Sequence, residues 1–129
     1  MTNWKEFLGF GKTQINDMRS IGYFYFKQGL FETALSYFNA LEVIEPLSTY
    51  DLQTIGALYL QMGNNLKAIE YFDKALQIDS NHSPTKLNKT KALFVLGQKK
   101  EAIESALELV GNQDPHIATA AKVLILSYQ

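Results

Sequence analysis

The sequence predicts an all-α fold of three stacked helix–turn–helix units followed by one further helix, and three observations predict it. First, residues recur at a spacing of 34: Gly29, Gly63 and Gly97; Ala34, Ala68 and Ala102; Leu35, Ile69 and Ile103. Two copies add Gly22 with Gly56, Ile21 with Ile55, Tyr25 with Tyr59, Phe38 with Phe72, and Ile44 with Ile78. A fixed period of this length marks an array of supersecondary units. Second, apolar residues within each copy follow the i, i+3, i+4, i+7 spacing of a helix face, as in Met18, Ile21, Gly22 and Tyr25 and again in Leu52, Ile55, Gly56 and Tyr59. Third, Gly29, Gly63 and Gly97 fall where a chain leaving one helix needs positive φ.

The elements follow in order. Helices are expected near 13–28 and 31–44 for the first unit, 49–62 and 65–79 for the second, and 84–96 and 99–110 for the third. Gly22 and Gly56 lie inside helical patterns, where Gly costs about 1 kcal/mol against Ala. That cost is accepted where another backbone approaches closely, which places Ala34, Ala68 and Ala102 opposite and lets Phe38 and Phe72 fill the space between helices. Pro46 closes the first unit, because proline cannot continue a helix. Pro84 suits a first helical turn. Asp114 as N-cap and Pro115 at the first position open a last helix near 115–128. No linker or low-complexity stretch interrupts the chain, so residues 1–129 read as one domain with a short segment, 1–14, ahead of the repeats.

Composition narrows the function. The 129 residues are 47% apolar and 19% charged, with no cysteine. A domain of this size buries roughly two-thirds of its unfolded surface and needs no staple. Twelve Lys+Arg against 13 Asp+Glu give a net charge of −1, and Arg19 is the single arginine, which argues against nucleic acid as partner. No basic-then-apolar leader and no membrane-length apolar run is visible, which predicts a soluble protein of a reducing, cytoplasmic compartment.

Enzymatic chemistry finds no support. Gly11-Lys12-Thr13 lacks the earlier glycine of a phosphate loop, since position 6 is Glu6. His82 and His116 share one repeat position and make no metal set. No Ser/His/Asp grouping appears. The expectation is a non-enzymatic protein without cofactor or metal. Lys86, Lys89, Lys91, Lys99 and Lys100 cluster in a chain whose stretch 28–82 holds seven acids against two lysines. Such a dipole either steers an oppositely charged partner or simply solvates the surface.

Leu52, Ile55, Gly56, Tyr59, Gly63, Ala68, Phe72 and Ala75 together resemble the tetratricopeptide repeat, with copies at 15–48, 49–82 and 83–116. The third copy departs at Lys86, Lys89, Thr90 and Ala106, which predicts looser packing there or a rotated first helix. The resemblance implies a superhelix whose first helices line a concave face. The inward positions it implies include Arg19, Tyr23 and Phe26 from the first copy, Tyr50, Gln53, Ala57 and Leu60 from the second, and Leu87, Lys91 and Phe94 from the third. Such a groove suits a protein partner presenting an amphipathic helix or an extended apolar segment. Only Lys27 and Asn88 match the positions with which co-chaperones of the family grip a terminal carboxylate.

A narrower likeness runs through Phe38 to Ile44, Ile55-Gly56-Ala57, Gln61-Met62-Gly63 and Ala92 to Gly97. These stretches resemble the tetratricopeptide chaperones of bacterial type III secretion. That implies a cytoplasmic chaperone that keeps an apolar export client, a translocator or a needle subunit, soluble. The alternative is a structural scaffold subunit that bridges folded proteins. Trp4, Phe7, Leu8 and Phe10 cap the first helix pair, fold over the groove or pack on a second chain, and apolar residues spread around the last helix. Both termini are therefore candidate contacts for a homo- or heterodimer.

Overall fold

A computed structural model describes residues 3–128. Among them are eight helices: α1 (Trp4–Phe7), α2 (Lys12–Lys27), α3 (Phe31–Ile44), α4 (Thr49–Gln61), α5 (Asn65–Ile78), α6 (Ser83–Val95), α7 (Lys99–Val110) and α8 (Pro115–Ser127). The six repeat helices and α8 lie within one or two residues of the spans expected from periodicity. The short α1 is an addition to them.

Local chemistry sets these boundaries. Each α2, α4 and α6 ends on a glycine with φ of 78°, 82° and 80° at Gly29, Gly63 and Gly97. Around each, the same pair of bonds closes the helix: Gly29 N–H donates to the Phe26 carbonyl and Leu30 N–H to that of Tyr25, with equivalents at Gly63/Asn64 and Gly97/Gln98. This is the Schellman arrangement, which only a left-handed residue completes. Helix starts are held by side chains, with Ser48, Asn64 and Asp114 accepting from Asp51, Lys67 and His116 N–H.

Helices pair as α2/α3, α4/α5 and α6/α7, and each pair stacks on the next. The core runs along the stack as Phe38, Leu41, Ile55, Leu58, Phe72 and Ala92, all fully buried. Ala34, Ala68 and Ala102 are fully buried, and the atom nearest each helical glycine is a phenylalanine ring carbon. A β-carbon on Gly22 would lie 2.8 Å from the Phe38 ring, and one on Gly56 would lie 2.5 Å from the Phe72 ring. The close approach is ring against backbone.

The third repeat solves the same contact in reverse. Its glycine position holds Thr90 and its phenylalanine position holds Ala106, and both are fully buried. Thr90 Oγ1 donates to the Lys86 carbonyl at 2.7 Å, so its polar atom is satisfied within its own helix. A larger residue on the first helix is matched by a smaller one on the second, and both are sealed from solvent.

At the N-terminal end the structure takes the first of the three expected arrangements. Phe10 packs on the first-repeat core, while Trp4 and Leu8 lie with Ala40, Val43 and Ile44 of α3 around an apolar cavity of about 330 Å³. The described part of the N-terminal segment, from Asn3 on, therefore caps the first pair and does not cover the groove. At the other end, α8 is turned out of repeat register. Ala121, Ile125 and Tyr128 stand two repeat lengths beyond Gln53, Ala57 and Leu60, positions the resemblance implies should face a groove. Here they face α6 and α7 instead. Ala121 joins Leu87, Leu109 and Ile117, Ile125 joins the cluster around Phe94, and Tyr128 stacks on Phe94 with centroids 4.7 Å apart.

Candidate functional site

The first helices α2, α4 and α6 leave a hollow of about 380 Å³ between them, lined by Tyr23, Phe26, Lys27, Tyr50, Gln53, Thr54, Ala57, Gln61 and Asn88. A second depression shares Tyr23, Lys27 and Tyr50 and continues to Ser20 and Phe24. Five of the ten residues singled out from the sequence thus converge: Tyr23, Phe26, Tyr50, Gln53 and Ala57. The walls are aromatic, the rim is carboxamide and ammonium, and Tyr50 remains 61% exposed.

One hydrogen-bond chain fixes the floor. Thr54 Oγ1 donates its single proton to the Tyr50 carbonyl at 2.8 Å, so Tyr23 donates to Thr54 Oγ1 at 2.9 Å. The Tyr23 ring meets Phe38 edge-on at 5.1 Å and Tyr50 at 6.2 Å. Burial pushes the Tyr23 hydroxyl above its ordinary value of 10.0. On the other side of the stack, burial followed by the bond to Glu42 does the same for Tyr71.

The sign of this linkage is definite. Above about pH 10 the unfolded chain releases phenolic protons that the fold retains. Stability contributed by Tyr23 and Tyr71 is therefore present below that pH and falls as pH rises past it. In a phenolate absorbance titration the two residues trail the ordinary range. The trailing fraction disappears in Tyr23→Phe/Tyr71→Phe, whose denaturation midpoint also falls less steeply above pH 10.

The other five residues are placed differently. Arg19 is not a free recognition group. Its Nε and Nη2 bind Asp51 Oδ1 and Oδ2 at 2.9 and 3.0 Å, Nη1 binds Asn16, and Nη2 also meets Glu45 at 3.4 Å. Asp51 is 1% exposed. The pair ties α2 to α4 beneath the hollow and raises the Arg19 pKa further. Sequence reading missed Asp51, whose partner lies 32 residues away. Leu87 and Phe94, expected on an open surface, are 8% and 4% exposed, because α8 covers them. Leu60 is half-buried against Ala68, Phe72 and Ala92, sealing the second repeat to the third. Lys91 is half-buried on α6 and does not line the hollow.

The open groove therefore spans the first two repeats and the start of α6, and its third section is filled by the chain's own C-terminal helix.

The structure matches SycD, the type III secretion translocator chaperone of Yersinia enterocolitica, with a TM-score of 0.81 over 98% of both chains at 17% identity. The tetratricopeptide repeat family model matches residues 52–82, the second repeat. The fold is that of the tetratricopeptide-repeat proteins.

PcrH, of Pseudomonas aeruginosa, in complex with the chaperone binding region of PopB matches with a TM-score of 0.80 over 90% of this chain and 98% of that one, at 16% identity. The tetratricopeptide domain of Sgt2 from Aspergillus fumigatus matches with a TM-score of 0.72 over 88% of this chain and 80% of that one, at 20% identity. No curated protein sequence matches the chain. At these identities the likeness establishes the fold alone, a tetratricopeptide array like that of SycD. No described helix is long and apolar enough to cross a membrane.

Proposed function

We propose that the protein is a type III secretion chaperone whose concave groove keeps an apolar export client, a translocator or a needle subunit, soluble in the cytoplasm. The observation that carries the reading is the open aromatic hollow at Tyr23, Phe26, Tyr50 and Ala57. An exposed apolar concavity on a chain of this composition is a site for a partner segment. SycD, solved as a translocator chaperone and with a peptide of the translocator YopD, and PcrH, solved with the chaperone binding region of PopB, support it by fold.

The mechanism needs no covalent step. A free apolar segment aggregates. Sequestering it in the groove lowers its free concentration, and the complex is stabilised by RT ln(1 + [L]/Kd). The carboxamides of Gln53 and Gln61 on the rim can pair with a backbone that has no internal partners.

Co-expression tests this. A chaperone converts one otherwise insoluble small protein of the native secretion locus into a soluble 1:1 or 2:1 complex. Tyr50→Glu with Ala57→Glu abolishes that rescue, while circular dichroism and melting stay within a few degrees of the parent. Leu60 and Tyr23 are unsuited to this test, because both are half-buried and also pack against the core, so a charge there would disturb the stack. A scaffold subunit is the second reading, favoured by the apolar cavity among Trp4, Leu8, Ala40, Val43 and Ile44, away from the groove. It predicts that the groove variant leaves assembly intact while Val43→Glu breaks it.

A further inference from the structure

The groove's charge carries an inference of its own. Arg19 is compensated by Asp51 and Glu45, and Lys89 by Asp73 at 2.8 Å. Two cations are left in groove-facing register. Lys27 on α2 lines the hollow directly. Lys91 on α6 stands at the repeat position of Ala57 and Tyr23. Neither forms an ion pair among the described residues, and no carboxylate lines the hollow. The chain as a whole carries a net charge of −1. Lys27 is thus the uncompensated cation of the aromatic-walled hollow, and Lys91 stands one helical turn beyond Asn88 at its α6 edge, on a weakly acidic protein.

Such walls exclude water and strengthen the field of the two ammonium groups. A basic segment entering the groove is repelled. A neutral one strips water from Lys27 and Lys91 and returns no partner. We propose that the groove selects an apolar client segment carrying carboxylate side chains, paired with Lys27 at one end and with Lys91 at the other. This deepens the reading of the groove as a client site and rests on it.

A random dodecapeptide display library, selected on the immobilised full chain, tests the proposal. The expected result is enrichment of peptides with apolar anchors in which Asp and Glu outnumber Lys and Arg several-fold. Lys27→Glu/Lys91→Glu exchanges one exposed and one half-buried ammonium, neither in an ion pair among the described residues; circular dichroism checks that the fold is kept, and its selected peptides invert that preference. A peptide chosen on the parent chain binds this variant about tenfold more weakly, two partly screened pairs contributing a few-fold each. Its affinity for the parent also falls with salt.

Apolar peptides that are blind to charge, yet lose binding with Tyr50→Glu, overturn the charge selection and leave the groove reading standing. Enriched peptides indifferent to Tyr50→Glu and Ala57→Glu, or no enrichment over an unrelated protein, overturn the groove reading and this inference with it.

Discussion

Gly56→Thr lowers the unfolding free energy by about 3 kcal/mol, the upper range for overpacking a well-filled core. A β-carbon at Gly56 meets the Phe72 ring at 2.5 Å, and the ring is fully buried with no room to retreat. Against a total of about 5–15 kcal/mol for a domain, the loss shows plainly in a urea midpoint. Phe72→Ala alone costs about 3–5 kcal/mol through the cavity it leaves.

The double variant is the decisive measurement, because the third repeat already carries its chemistry as Thr90 with Ala106. In Gly56→Thr/Phe72→Ala the threonine enters the space vacated by the ring. Its hydroxyl donates to the Leu52 carbonyl as Thr90 donates to that of Lys86. The combined loss falls short of the sum of the single losses by about 2 kcal/mol, a coupling typical of residues in direct contact. Additivity within about 0.5 kcal/mol would refute the size exchange as the reason the third repeat departs from the other two.

That exchange shows what could and could not be read from the sequence. Helix limits were legible because their causes are local: a left-handed glycine at Gly29, Gly63 and Gly97, prolines at Pro46, Pro84 and Pro115, and the cap at Asp114. Tyr23, Phe26, Tyr50, Gln53 and Ala57, which line the hollow, were legible only through the resemblance to the tetratricopeptide repeat, which implies the face of each first helix that looks inward. The third section was not, and α8 is the reason. Ile117, Val123, Leu124, Ile125 and Leu126 place apolar groups on every side of that helix. Periodicity therefore cannot choose its buried face, and packing turns it onto Leu87 and Phe94. Asp51 was hidden for a different reason. In its own helix it reads as an acid in the first turn, favourable against the helix dipole. Its burial and its partner exist only once the first repeat stacks on the second.

Asp51 accordingly gives the other large effect. Asp51→Ala destabilises the protein by about 2–3 kcal/mol. Removing one partner of a buried ion pair usually costs 3–5 kcal/mol, and the value is reduced here because the Arg19 side chain is 26% exposed and keeps Glu45 at 3.4 Å. A loss below about 0.5 kcal/mol would mean that the pair behaves as an ordinary surface contact. Replacing both partners at once, Arg19→Met with Asp51→Leu, recovers most of the loss, since two well-packed apolar groups need no desolvation. About 0.5 kcal/mol stays missing, because α4 also loses a carboxylate from its first turn. The same double variant separates architecture from recognition. Arg19 lies one turn before Tyr23 and Asp51 three residues before Thr54, so the ion pair holds the two helices at the spacing that the Tyr23–Thr54 bond requires. If apolar packing restores that spacing, client rescue returns with stability, and the Arg19 guanidinium is shown to build the groove without touching what enters it. If stability returns and rescue does not, the charge at Arg19 itself meets the client, and the ion pair is part of the binding surface.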